Sequence, residues 1–162
     1  MLKALKKKIT HNPKLVAALF NWYRPFRGAG IQIQHISDDF RQITVDMPLT
    51  RGNKNIMGTH FGGSLYAMAD PFFMYMLMQN LGARYHVWDQ TAFIEFVKPG
   101  DGLVRGVFQL TQSDIDSIEQ LAAGGDKVLH EFNCNIVKLD GTVVARVKKV
   151  LYIRLKRQHR PQ

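Results

Sequence analysis

The sequence predicts an α+β domain in which one antiparallel sheet wraps around a long hydrophobic helix. Three observations predict it. Leu65 to Leu81 carries apolar residues on every face, which marks a buried helix rather than a surface one. The segments on either side alternate apolar and polar residues with a period of two, as half-buried strands do. The order of elements is a strand pair, the helix, and then about four more strands, with turn signals between them. Strands in that number and order are what can cover such a helix.

The elements follow in order. Leu15 to Tyr23 (LVAALFNWY) predicts a short helix that ends before Pro25. Gly28-Ala29-Gly30 is a break. Ile31 and Ile33 alternate with Gln32 and Gln34, and Ile43, Val45 and Met47 alternate with Gln42, Thr44 and Asp46. With Ser37-Asp38-Asp39 between them these form an antiparallel hairpin. Arg51 to Asn55 is a polar loop into the central helix, which Gly82 caps. Trp88 to Val97 and Leu103 to Thr111 are strands on either side of Pro99-Gly100-Asp101-Gly102. Ser113 is expected to cap a short helix with the stripe Ile115, Ile118 and Leu121, closed by Gly124-Gly125. Lys127 to Leu139 and Thr142 to Leu155 are two long strands joined at Asp140-Gly141, a strong hairpin signal.

With 162 residues, 46% of them hydrophobic, the chain is expected to form a single domain over 1–162. One cysteine, Cys134, excludes an internal disulfide and a cysteine-based zinc site; it alternates with Phe132 and Ile136 as a strand residue does. No metal site is expected. The central stretch is nearly long enough for a membrane span, but Asp70, Pro71, Gln79 and Asn80 interrupt it, so no span is expected. No convincing signal peptide is present, and a cytoplasmic location is expected. The net charge is +9, and eight of those charges are Lys3, Lys6, Lys7 and Lys8 in segment 1–10 and Arg154, Lys156, Arg157 and Arg160 in tail 154–162. These ends are expected to be solvated tails or to attract an anion. No aromatic platform or nucleic-acid motif accompanies them, so nucleic acid is not expected as a partner.

The stretch Asn55 to Asp70 carries the chemistry. Asn55, Gly58, Gly62, Gly63, Ala69 and Asp70 fall at the spacings of the phenylacetyl-CoA thioesterase branch of the hotdog fold, and the layout resembles that fold. That branch has a histidine where this chain has Phe61; His60 stands one residue earlier. Gly-Thr-His-Phe-Gly-Gly-Ser-Leu-Tyr-Ala-Met, Asp70-Pro71, Trp88-Asp89 and Phe96-Val97-Lys98-Pro99 resemble more closely a family of uncharacterised bacterial hotdog proteins, over roughly residues 15–155. The resemblance implies a hotdog-fold acyl-thioesterase acting on acyl-coenzyme A or acyl carrier protein. Coenzyme A or phosphopantetheine then belongs to the substrate, and no other cofactor is expected. It leaves open a hydratase or dehydratase in the same fold, and a non-catalytic acyl-thioester binding module.

The residue chemistry fits a thioester. Its carbonyl becomes an oxyanion under attack, so a site needs preorganised donors. The N–H groups of Gly62 and Gly63 open the helix at the positive end of its dipole, and glycine permits close approach to the backbone. The alternative use of these glycines is close packing. Asn55 is expected to position the carbonyl or the attacking water, or else to hold a turn. A carboxylate inside a buried helix is costly unless paired or used, which singles out Asp70 as general base or nucleophile. Its alternative role is to cap backbone freed by Pro71. His60, Phe61 and Ser64 flank the site as substrate-binding candidates, and Asp89 and Thr91 open the following strand towards it. Met68, Met74, Met76 and Met78 are core residues or the lining of an acyl channel. Asp70 lies eight residues beyond Gly62, about 12 Å along a helix, so the donors and the acid are expected to meet across a homodimer, with a dimer of dimers also open.

Overall fold

The computed structural model describes residues 11–161, so segment 1–10 lies outside the described residues. Two short helices come first, α1 (Pro13–Trp22) and α2 (Arg24–Ala29). Asn12 caps α1 by accepting from the backbone N–H groups of Lys14 and Leu15. The chain leaves α2 through Gly30, whose φ of 73° lies in the left-handed region that favours glycine. Strands β1 (Gln32–Ile36) and β2 (Gln42–Met47) follow, then helices α3 (Gly62–Ala67) and α4 (Phe72–Leu81). The remaining elements are β3 (Tyr85–Phe96), β4 (Val104–Gln109), α5 (Gln112–Ala122), β5 (Val128–Lys138) and β6 (Val143–Leu155).

All six strands lie in one sheet in the order β1-β2-β4-β5-β6-β3, with every neighbouring pair antiparallel. The expected strands are present, and the Asp140-Gly141 turn joins β5 and β6 with Gly141 at φ 85°. α4 is the centre of the core. Phe72, Phe73, Met76 and Leu77 are almost wholly excluded from solvent. Phe73 stacks on Phe132 of β5 with ring centroids 4.8 Å apart and meets Phe108 of β4 edge-on at 5.4 Å. Phe72 packs on Phe108 from the other side at 5.0 Å. Burial of rings of this size contributes roughly 1.5–3 kcal/mol each, and the ring pairs add to it.

The expected single helix is in fact broken. α3 ends at Ala67, and the backbone tightens to i→i+3 bonds, Ala69 N–H to Tyr66 O and Asp70 N–H to Ala67 O. Pro71 has no N–H to continue the ladder, and α4 restarts with Tyr75 N–H on Pro71 O. The break corrects the placement of Asp70. Met68 and Ala69 are fully buried, but Asp70 is turned out of the core, and its side chain keeps 52% of its exposure. Of the methionines expected in the core, Met68 and Met76 are buried, Met74 packs against the core, and Met78 is exposed.

Two further expectations are corrected. The cap of α5 is Thr111 rather than Ser113: Thr111 Oγ1 accepts from Asp114 N–H, and the Asp114 carboxylate accepts from Thr111 N–H. The basic C-terminal tail is tied down in its described part. Arg154 lies in β6 and donates to Gly125 O, and Arg160 folds back to donate to Leu155 O.

Candidate active site

The loop before α3 is stitched shut by two asparagines. Asn53, almost fully buried, accepts from Thr50 N–H and donates to the carbonyls of Ala29 and Pro48. Asn55 accepts from the N–H groups of Met57 and Thr59, and donates to Thr59 Oγ1 and His60 O. Its amide is therefore engaged on both sides by its own loop. The chain then crosses to the segment after β3, with His60 N–H on Gly100 O and Phe61 N–H on Asn53 O.

His60 and Phe61 consequently face opposite ways. His60 is 3% exposed; its Nε2 bonds Gly102 O at 2.8 Å, and its Nδ1 is buried without a hydrogen-bond partner. Burial pulls its pKa below the usual value, partly offset by the bond to the Gly102 carbonyl. Phe61 points outward and lies over Gly63, where its ring occupies the space a Cβ would take. Phe96 of β3 does the same at Gly62, where a Cβ would stand 2.8 Å from its ring. A side chain at either glycine would have to displace one of these exposed rings, and α3 begins with no side-chain cap on its first N–H groups. Ser64 is buried in the first turn. A cavity of about 620 Å³ opens here, lined by Asn55, Thr59, His60, Gly62, Phe96 and Lys98 among others; Asp70 and Asp89 do not line it.

The acid gathers a different set of partners. Lys149 of β6 is fully buried, and its Nζ donates to Asp70 Oδ1 and to Asp89 Oδ1, each at 3.0 Å. The Tyr66 ring lies beneath the ammonium, 5.8 Å to its centroid. A β-bulge at Asp89/Thr91 disturbs the β3–β6 register beside the ion pair. Burial pulls the Lys149 pKa down, but the two carboxylates together outweigh it and hold the ammonium above its ordinary value. For Asp89, burial is the largest effect and raises the pKa despite the lysine. Asp70 and Asp89 are therefore brought together through a lysine that the sequence reading did not single out, away from the glycine cavity towards which Asp89 was expected to open. Thr91 is exposed on β3 opposite Val150.

Cys134 of β5 lies near Lys149, but burial pushes its thiol up to about 12. Ellman's reagent at pH 8 should leave the native protein unlabelled and react fully once urea unfolds it. Rapid labelling of the native state would instead show an activated thiolate.

The sequence of this domain decides its kinship. Residues 13–153 match DUF4442, a domain of unknown function. The chain belongs to the DUF4442 family. No curated protein sequence matches this DUF4442 chain. Among solved structures, a Pseudomonas aeruginosa protein of unknown function, described as a probable thioesterase, matches with a TM-score of 0.80 at 20% identity over 90% of this chain and 99% of that one. A protein of unknown function from Chlorobaculum tepidum matches at 0.67 with 17% identity, over 91% and 99%. A thioesterase from Haemophilus influenzae matches at 0.65 with 13% identity, over 89% and 91%. At these identities the likeness concerns the fold, and this DUF4442 domain has the hotdog fold that thioesterases share. No described helix is long and apolar enough to cross a membrane.

Proposed function

We propose that this protein hydrolyses acyl thioesters, with the acyl group carried on coenzyme A or on acyl carrier protein. The observation that carries the reading is the Asp70 carboxylate: a fully buried lysine fixes one of its oxygens, while half of the side chain stays open to solvent. A base or nucleophile needs that combination of fixed position and access. In this reading the N–H groups of Gly62 and Gly63 stabilise the oxyanion, and the cavity beside Gly62 takes the acyl-thioester. Asn55 acts by holding the loop, since its amide is already engaged. Coenzyme A or phosphopantetheine enters as part of the substrate, and the chemistry calls on no metal or redox cofactor.

The site is assembled in a homodimer. Within one chain no acid is among the residues that line the glycine cavity, and the Asp70 carboxylate is held by Lys149 instead. β3 is an edge strand of twelve residues, and Trp88, Phe93 and Phe96 stand exposed along it. An unpaired, apolar edge of that length favours a second chain.

A second reading rests on His60, whose buried Nδ1 has no partner beside the same cavity; a histidine so placed suits hydration of an enoyl thioester. A panel of acyl-coenzyme A and acyl-carrier substrates, assayed for released thiol, separates the readings. Turnover of one acyl class, lost in Asp70→Asn, is the expected result. Water addition to an enoyl thioester without thiol release would establish the hydratase. Tight binding without turnover would establish a binding module and end the hydrolase reading.

A further inference from the structure

α1 is apolar on two opposite sides. Val16 is buried, and Phe20 packs on Phe26, Phe72 and Tyr75 with centroids 5.9, 5.7 and 5.4 Å away. That face explains why the helix is held on the body. The opposite face is Leu15, Ala18, Leu19 and Trp22, spaced i, i+3, i+4 and i+7, so the four lie in one stripe. All four are exposed, Leu19 at 57% and Trp22 at 76%, and Tyr23 continues the patch at 55%. A surface helix ordinarily turns polar residues outward, and among the described residues none covers this stripe.

The charged residues that flank the stripe along the chain are all basic. Lys14, Arg24 and Arg27 are exposed beside it, and the Arg27 guanidinium sits 5.5 Å from the centroid of the Trp22 ring. Lys3, Lys6, Lys7 and Lys8 precede it in the chain. The first acidic residue of the sequence is Asp38, so these seven cations have no acid among them. We propose that the outward face of α1, with Lys14, Arg24 and Arg27 around it, docks this protein onto an anionic lipid surface. Leucine and tryptophan on one stripe with lysine and arginine at its rim is the composition of a helix that lies in a membrane interface. A second copy of the chain is the poorer occupant. A two-fold contact through this stripe would set the same cations against each other.

The experiment is cosedimentation of the full chain with phosphatidylcholine vesicles and with mixed phosphatidylcholine–phosphatidylglycerol vesicles. Binding to the mixed vesicles only, falling as salt is raised, is expected. Leu19→Gln/Trp22→Gln leaves the inward face intact and should weaken partitioning by about tenfold or more, since it removes the inserted apolar area. Lys14→Gln/Arg24→Gln/Arg27→Gln should weaken it by on the order of a hundredfold, at about 1 kcal/mol for each cation. Absence of binding to anionic vesicles at low salt overturns the proposal. So does unchanged binding of Leu19→Gln/Trp22→Gln. If that variant instead lowers the assembly mass in sedimentation velocity with vesicle binding unaltered, the stripe is a contact between copies, and the proposal is again wrong. Vesicle binding is read without any substrate, so it is independent of thioester turnover.

Discussion

Asp70→Asn/Asp89→Asn should lose about 3 kcal/mol of unfolding free energy, while Lys149→Met should lose only about 1–2. The asymmetry comes from burial. Lys149 is wholly enclosed, whereas the Asp70 and Asp89 side chains retain 52% and 27% of their exposure. Removing both acids strands an ammonium in the core. The asparagine oxygens still accept from it, which keeps the loss at the low end for a broken buried pair. Removing the lysine leaves two carboxylates that water already reaches, and methionine refills the space of its stem. Adding Lys149→Met to the double variant should therefore recover about 2 kcal/mol, because no stranded charge remains. Urea unfolding at fixed protomer concentration measures all four proteins. Equal and additive losses would mean that Lys149 carries no charge in the folded state.

The pH dependence has a fixed sign. Lys149 is held above its ordinary 10.5 in the folded protein. The stability it contributes is fully present below that value and is lost as pH rises through the folded-state value. Wild type should therefore weaken on the alkaline side, and the Lys149→Met variant should lack that part of the decline. Asp89 is likewise raised above 3.8, so its contribution is present in acid and fades as pH rises through its folded value. An alkaline decline of equal size in both proteins would remove the ion pair as its source.

Much of the fold was legible because its signals are periodic. Period-two alternation placed the six strands, and the unbroken apolar run placed the central helix. The break within that helix was also written in the sequence, as Pro71 after Asp70, but an apolar run pulls attention to burial and away from the missing N–H. The expected burial of Asp70 failed for that reason. Lys149 is legible by the same alternation. Ala145, Val147, Leu151, Ile153 and Leu155 share one buried face of β6, and Lys149 stands in register with them. A lone lysine on a core face has to meet acids, and Asp70 and Asp89 were already named. The pairing itself was not legible, since it joins residues 79 apart on separate elements. Asn53 and the inward turn of His60 were hidden more deeply. They depend on bonds to Ala29, Pro48 and Gly102 that no local pattern encodes.

Equal amounts of Asp70→Asn and Asn55→Ala, each nearly inactive alone, should regain activity when refolded together. The reason is distance. Asp70 lies eight residues beyond Gly62, and even an unbroken helix would carry it about 12 Å along the axis. The break at Pro71 sends its carboxylate to Lys149 and Asp89, while Gly62 lines a cavity with His60 and Phe96. One chain therefore does not offer both the helix-end donors and the acid to a single carbonyl. In the proposed two-fold dimer each site would take its loop and glycines from one chain and Asp70 from the other. A mixed dimer then has one site with both defects and one with neither. Random pairing makes half of the dimers mixed, so activity should recover to roughly a quarter of wild type. The assay is thiol release from whichever acyl substrate the panel identifies, with mixed dimers confirmed by a size tag on one variant. Asn55→Ala removes the bonds that close the loop, so its own dimer must also be shown to form. If mixed dimers form and remain as inactive as the parents, each site lies within one chain and the shared-site arrangement is wrong.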